Sequence, residues 1–179
     1  MGMFDKATVG EWPLCADAAF AANLNGTAFP IVAGYLQSAN AFHPWSDNDF
    51  LTLHGPKLPI YVANSDGRKD AEQALQQLEH LDVPFHKDIY VAYDLETRKD
   101  DTLVSKFSAL MNHYGFRVLV YGSASTVFEN PKCNGYWVAD YLQTLFMYSH
   151  MGTRMTQCIE GELYDTSTVK PWIVPYFWK

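Results

Sequence analysis

Cysteine is scarce in this chain. Cys15, Cys133 and Cys158 are odd in number and far apart, which excludes a disulfide framework and a C-x-x-C redox or zinc pair. Positive charge is also in short supply. Lys and Arg number 13 against 20 Asp and Glu, a net charge of −7, so no basic face is expected for nucleic acid or an anionic membrane. No apolar run approaches the ~20 residues of a membrane-spanning helix. The opening residues, MGMFDKATVGEWP, carry neither the basic region nor the apolar core of a secretion signal. The six histidines show no close ligand spacing, and no glycine-rich phosphate loop follows an early strand. Neither a metal nor another cofactor is therefore expected.

Apolar residues, in contrast, make up 48% of the 179 residues and aromatics 15%, which suits one globular domain with a large core. The same aromatics suit a groove that stacks against flat ligands, and composition does not choose between the two. Strand-like runs and helix-like segments alternate along the chain. Residues 29–37, 57–64, 88–96, 116–123 and 135–141 read as apolar, β-rich strands covered on both faces. Residues 67–84 and 100–115 carry apolar stripes at helical spacing, closed by Pro84 and Gly115. Residues 15–26 and 46–55 read as shorter helices, the second opened by the capping residue Ser46. After Tyr141 the rhythm changes, and 154–169 reads as two short strands around Gly161. This alternation predicts an α/β domain, doubly wound or a barrel. No repeat or linker divides it.

The run "YVAYDLET" ends in two acids, Asp94 and Glu96. Alternation along a strand puts residues i and i+2 on one face, at the strand end where α/β folds bind ligands. Two carboxylates crowded there do not share one pKa, which leaves a proton donor beside an anion, the pairing that glycoside hydrolysis uses. On the motif alone these acids can equally cap the next helix, take a divalent cation, or pair with Arg98 and Lys99.

The order of "MFD", "LPIYV", "IYVAYDLE", "GFRVLVYGSAS", "YWVADY" and "LYDTSTV" resembles glycoside hydrolase family 25, the lysozyme-type muramidases. It is closer still to the related glycoside-hydrolase-like domain of unknown function 1906. The resemblance implies an irregular, flattened TIM-like (β/α) barrel with fewer than eight helices. An open flavodoxin-like sheet is the alternative. The resemblance also implies hydrolysis of a cell-wall polysaccharide, such as peptidoglycan. Glu96 would be the general acid and Asp94 its partner carboxylate, with Asp5 and Asp165 lining the same pocket. Tyr61, Tyr121 and Trp137 match cleft positions of the family. Tyr35 and Gln37 end the second strand and are placed to reach the sugar, and Asp140 adds an acid at its own strand end. The pair Gln157-Cys158 departs from the family, where an aromatic follows this glutamine, and "LQTLFMYSHMGTR" is unusually apolar. A non-catalytic carbohydrate-binding or virion-structural domain that keeps the barrel is the rival reading.

Overall fold

The computed structural model describes residues 12–18, 20–96, 100–128 and 132–179, so Asp5 lies outside the described residues. Among these, eight strands close into a barrel. They are β1 (Leu14–Asp17), β2 (Ile31–Tyr35), β3 (Lys57–Val62), β4 (Ile89–Asp94), β5 (Phe116–Ser123), β6 (Gly135–Ala139), β7 (Thr153–Ile159) and β8 (Asp165–Val169). Neighbours from β1 to β7 run parallel. The last strand is antiparallel to both β7 and β1 and joins the two edges, which excludes the open sheet. Helical cover is thin: α1 (Asp47–Thr52), α2 (Gly67–His80), α3 (Asp101–His113) and the single turn α4 (Ala124–Val127). The fold is thus the flattened barrel with fewer than eight helices. None of the described helices is long and apolar enough to cross a membrane.

Strand alternation splits the apolar residues into two layers. One set, including Cys15, Ile31, Leu58, Tyr90, Leu119 and Trp137, fills the barrel. The other, including Val91, Tyr93, Val118 and Val120, faces the helices and meets the stripes Ala71, Ala74, Leu75 and Leu78 of α2 and Leu103, Val104, Phe107 and Met111 of α3. Asp66 and Asp100 cap these two helices through their side chains. Ser46 and Asp49 form a reciprocal capping box on α1.

Residues 15–26 do not form the expected helix. Leu14–Asp17 is the first barrel strand, and Ala21–Leu24 is a turn of 3₁₀ helix. Alanine-rich composition favours a helix locally, but β1 sits between β2 and β8 and its backbone is taken up by both ladders. Its small side chains suit this place, with Cys15 inside and Ala16 outside, both fully buried.

The chain end seals one mouth. In the 3₁₀ segment Pro171–Tyr176 and just beyond it, Ile173 and Phe177 join the interior layer. Backbone bonds between Lys57 and Trp178 hold the segment against the start of β3. Among the described residues, the opposite mouth, at the C-terminal ends of the parallel strands, is left open for a ligand.

At that mouth β2 is held by an aromatic clamp. Trp45 is 3% exposed, its backbone N–H donates to Tyr35 O at 2.8 Å, and its indole N–H donates to Ala18 O at 3.0 Å. The ring lies directly on Gly34, where an added Cβ would fall 2.2 Å from Trp45. A rigid, buried indole has little room to give. Gly34→Ala should therefore lower stability by roughly 2–4 kcal/mol, read as the urea midpoint, with Trp45 fluorescence reporting the displaced ring.

Candidate active site

The inward positions that fill the barrel end in polar groups at the open mouth. Following each strand outward, Cys15 leads to Asp17, Ala33 to Tyr35, Ala92 to Asp94, Leu119 to Tyr121 and Met155 to Gln157. Strand β8 runs the other way, so its first residue, Asp165, is at the same end. Asp165 pairs directly across from Asp17. A cleft of about 560 Å³ opens there, lined by Tyr35, Asp94, Glu96, Tyr121, Asp140 and Tyr141 among others. A larger groove of about 680 Å³ lies outside the barrel against α1 and α2. None of the mouth acids lines it, so the chemistry points to the smaller cleft.

Gln157 organises the floor and is 1% exposed. Its Oε1 accepts from the Tyr121 hydroxyl and from the Tyr141 hydroxyl, the latter at 3.1 Å. Its Nε2 donates to Asp17 Oδ2 at 3.2 Å and to Asp165 Oδ2 at 2.7 Å. All four hydrogen bonds that an amide can make are therefore used. The two hydroxyl donors orient the amide so that its N–H groups face the acids. Asp165 Oδ1 accepts from the Gly161 N–H at 3.0 Å. Asp17 Oδ1 is buried and has no partner among the described residues.

These acids perturb one another. Burial, then the charges of Asp165 and Asp94, push the Asp17 carboxyl well above the usual carboxylate range. Burial pushes Asp165 up, with Glu160 adding to it and the Gly161 N–H opposing. Burial raises Asp94 to about 7, opposed by the hydrogen bond from the Glu96 N–H and reinforced by the Glu96 charge. The Tyr35 hydroxyl is pushed well up by burial and by Asp17, Asp94 and Asp165, so it stays a neutral donor. Tyr121 is raised by burial and by Tyr141.

The two acids of "YVAYDLET" both line the cleft, but not as alternate residues of one strand. Strand β4 stops at Asp94. Asp94 Oδ1 then accepts the Glu96 N–H at 2.8 Å, and Glu96 takes a left-handed φ of 50°. Asp94 is buried by this turn, whereas Glu96 is exposed. The buried acid is thus Asp94, and the one free to meet a ligand is Glu96.

The structure brings Asp94, Glu96, Asp165, Tyr35, Tyr121 and Asp140 to the mouth. Trp137 lies one layer below. Its ring meets Tyr121 edge-on at 4.8 Å, and its N–H donates to Ser167 Oγ at 3.0 Å. Tyr61 points outward to the helices, and its hydroxyl donates to Gln73 Oε1 at 2.5 Å. Tyr61 is the residue next to the inward Ile60 on β3, and neighbours on a strand face opposite sides. Gln37 lies past the end of β2 in the outer groove, bonded both ways to Gln77. The acid that ends the first described strand is Asp17. It was missed because "LCAD" is embedded in an alanine-rich stretch, although it repeats the pattern of "IYVAYD", an apolar run closed by an acid. Gln157 and Tyr141 lie in segments that carry the family resemblance, but nothing in those segments marks them as the pair that organises the floor. Among the described residues no three His, Cys, Asp or Glu side chains are grouped to hold a metal ion.

No family model matches the chain, and no curated protein does. Solved structures do. An uncharacterized B. stearothermophilus protein superposes with a TM-score of 0.74 at 14% identity, covering 92% of this chain and 99% of its own. The modular Cpl-1 endolysin complexed with a peptidoglycan analogue superposes with a TM-score of 0.58, again at 14% identity, over 88% of this chain. This chain spans 54% of that endolysin's length. A Glu-to-Gln variant of the same endolysin, in complex with a tetrasaccharide-pentapeptide, gives a TM-score of 0.57. The likeness is one of fold.

Two outcomes follow from the turn and the buried acid. Gly122 has φ +152°, and a Cβ there would lie 2.8 Å from Glu96 O. Gly122→Ala should lower stability by about 1–3 kcal/mol and displace the Glu96 turn, seen as a lower thermal midpoint and altered backbone amide shifts around Glu96. The second outcome concerns pH. The folded pKa of Asp94, about 7, lies above its ordinary 3.8. Its neutral form is therefore favoured by the fold. Its contribution is fully present below pH ~4 and is lost as pH rises through about 7. Asp94→Asn keeps the Oδ1 acceptor and cannot ionise. It should unfold like the parent near pH 4 and be more stable by on the order of a few kcal/mol at pH 8, measured by denaturant titration at both pH values.

Proposed function

We propose that this domain hydrolyses a glycosidic bond in a cell-wall polysaccharide such as peptidoglycan, in the manner of glycoside hydrolase family 25. The convergence of Asp17, Asp94, Glu96 and Asp165 on the single open mouth of the barrel carries this reading. The fold shared with the endolysin bound to a peptidoglycan analogue supports it. The closer likeness to the glycoside-hydrolase-like domain of unknown function 1906 belongs to the same proposal and rests on the order of the sequence segments.

Glu96 is the general acid in this reading. It is exposed at the cleft, so its carboxyl meets the leaving oxygen without the floor having to move. Asp94 is the partner carboxylate. Its fixed Oδ1, held by the Glu96 N–H, keeps it beside the acid and leaves Oδ2 for the sugar. When ionised, it stabilises the positive charge that develops at the anomeric carbon. Asp17 and Asp165, clamped by Gln157, line the floor, and the Tyr35 hydroxyl offers a neutral donor to substrate oxygens.

Purified cell walls in a turbidity or dye-release assay test this directly. Glu96→Gln should reduce release by about 100-fold or more. Asp94 must be ionised while Glu96 stays protonated, so the rate should pass through an optimum bounded on both sides, with the Asp94 ionisation near 7 setting one limb. Asp94→Asn should remove that limb from whatever activity remains. A Glu96→Gln protein that keeps the parent rate would assign the proton to another acid. Binding without product at any pH would favour the carbohydrate-binding reading.

A further inference from the structure

Exposed apolar side chains are not spread evenly over this protein. Of the nine large ones among the described residues, Phe20, Phe42, Tyr141, Leu142 and Leu163 lie in loops at the open mouth. Three rings in the loops after β1 and β2 form a group. Phe20 lies 4.2 Å from His43 between ring centroids, and Phe42 lies 4.4 Å from His43 on an edge-on contact. His43 is half-buried, whereas Phe20 is 53% and Phe42 88% exposed.

This group is held firmly. Asn40 Nδ2 donates to Ala63 O at 2.7 Å, and Ser38 Oγ accepts from the Ala41 N–H at 3.1 Å. The Trp45 indole ties the same loop to Ala18, two residues before Phe20. A loop pinned at both ends that still turns a phenylalanine to water gains no core burial from it, and the ring is not isolated but part of a contiguous aromatic group with His43 and Phe20. The group also adjoins the acid site. Phe20 follows Asp17 by three residues, and the Phe42 loop starts at Tyr35, whose side chain lines the cleft.

We propose that Phe20, His43 and Phe42 form a stacking subsite for one pyranose ring of the polysaccharide, beyond the sugars held in the acid-lined cleft. This rests on the glycan reading of the cleft and extends it along the chain of the substrate. Aromatic faces suit the C–H face of a sugar ring. Its size argues for the same occupant. Each aromatic side chain offers on the order of 150–250 Å² when covered, and with Phe20 only 53% exposed and His43 half-buried the three rings fall short of the ~800 Å² per partner of a stable protein interface. Continuity with the cleft makes a linear polymer that spans both places the fitting ligand.

The experiment uses β-linked N-acetylglucosamine oligomers of two and of six rings, measured by calorimetry on the Glu96→Gln protein so that nothing turns over. Adding Phe42→Ala should weaken the hexamer by about threefold to tenfold and leave the dimer unchanged. Phe20→Ala should act in the same direction, and Phe42→Trp should restore the affinity. Thermal midpoints should hold, since both rings are exposed. Hexamer binding that is indifferent to Phe42→Ala and Phe20→Ala overturns the subsite while leaving the glycan cleft standing. Failure of the parent protein to bind either oligomer or cell walls removes the cleft reading, and the subsite with it. A parent that elutes as a dimer while Phe42→Ala elutes as a monomer assigns the face to a second copy and also overturns the subsite.

Discussion

Closing the barrel sets two carboxylates side by side. The sheet has no free edge only because β8 runs antiparallel between β7 and β1, and that pairing puts Asp165 directly opposite Asp17. Paired residues on neighbouring strands lie ~4.5–5.5 Å apart at Cβ, where like charges repel. The cost is borne because the ladder hydrogen bonds of both strands depend on that register. Gln157 from β7 meets it by donating one N–H to each acid. The remainder of the mouth follows from this arrangement, since the amide in turn needs the Tyr121 and Tyr141 hydroxyls for its oxygen.

The interior below explains why the acids face a cleft and not a pore. Trp137 and Tyr90 fill the barrel, and Ile173 and Phe177 stop its far end. Among the described residues, water therefore reaches the interior from the acid-lined side. Acids at the rim of such a plug are half in an apolar medium, and burial comes first among the causes that raise Asp17, Asp94 and Asp165. The same burial divides labour between the two acids of the β4 turn. Asp94 is held inside by its bond to the Glu96 N–H, and Glu96 is turned outward by its left-handed backbone. Gly122 lets the neighbouring strand approach the Glu96 carbonyl closely enough for that turn to form.

The outer layer does different work. Asp70 is 2% exposed on α2 and accepts from the Tyr93 hydroxyl at 2.6 Å and the Asn64 N–H at 2.9 Å. It links the helix to β4 and to the turn after β3. Tyr93 also stacks on Phe107 of α3 at 3.9 Å. The residue next to Asp94 is thus gripped from behind by two helices, so the strand end that carries the acid is rigid, as a preorganised site requires.

Much of this was legible in the chain itself. The apolar runs of β2 to β6 and the stripes of α2 and α3 are written in local periodicity, because the residues that face the core recur at the spacing of the element. So is the placing of Asp94 at a strand end, since an acid that closes an apolar run has few places to go, whereas Asp165 opens β8 and reaches the same mouth because that strand runs antiparallel. What the sequence by itself did not determine is everything set by contacts between distant segments. That Leu14–Asp17 is a strand and not a helix follows from its pairing with β2 and β8, against its own alanine content. Tyr61 and Gln37 face away from the cleft because β3 keeps its inward parity and β2 ends early. Gln157 meets Asp17, 140 residues away in the chain, only once the barrel is closed. Periodicity speaks for a residue's own element, whereas a hydrogen bond across the barrel depends on the register of every strand in between.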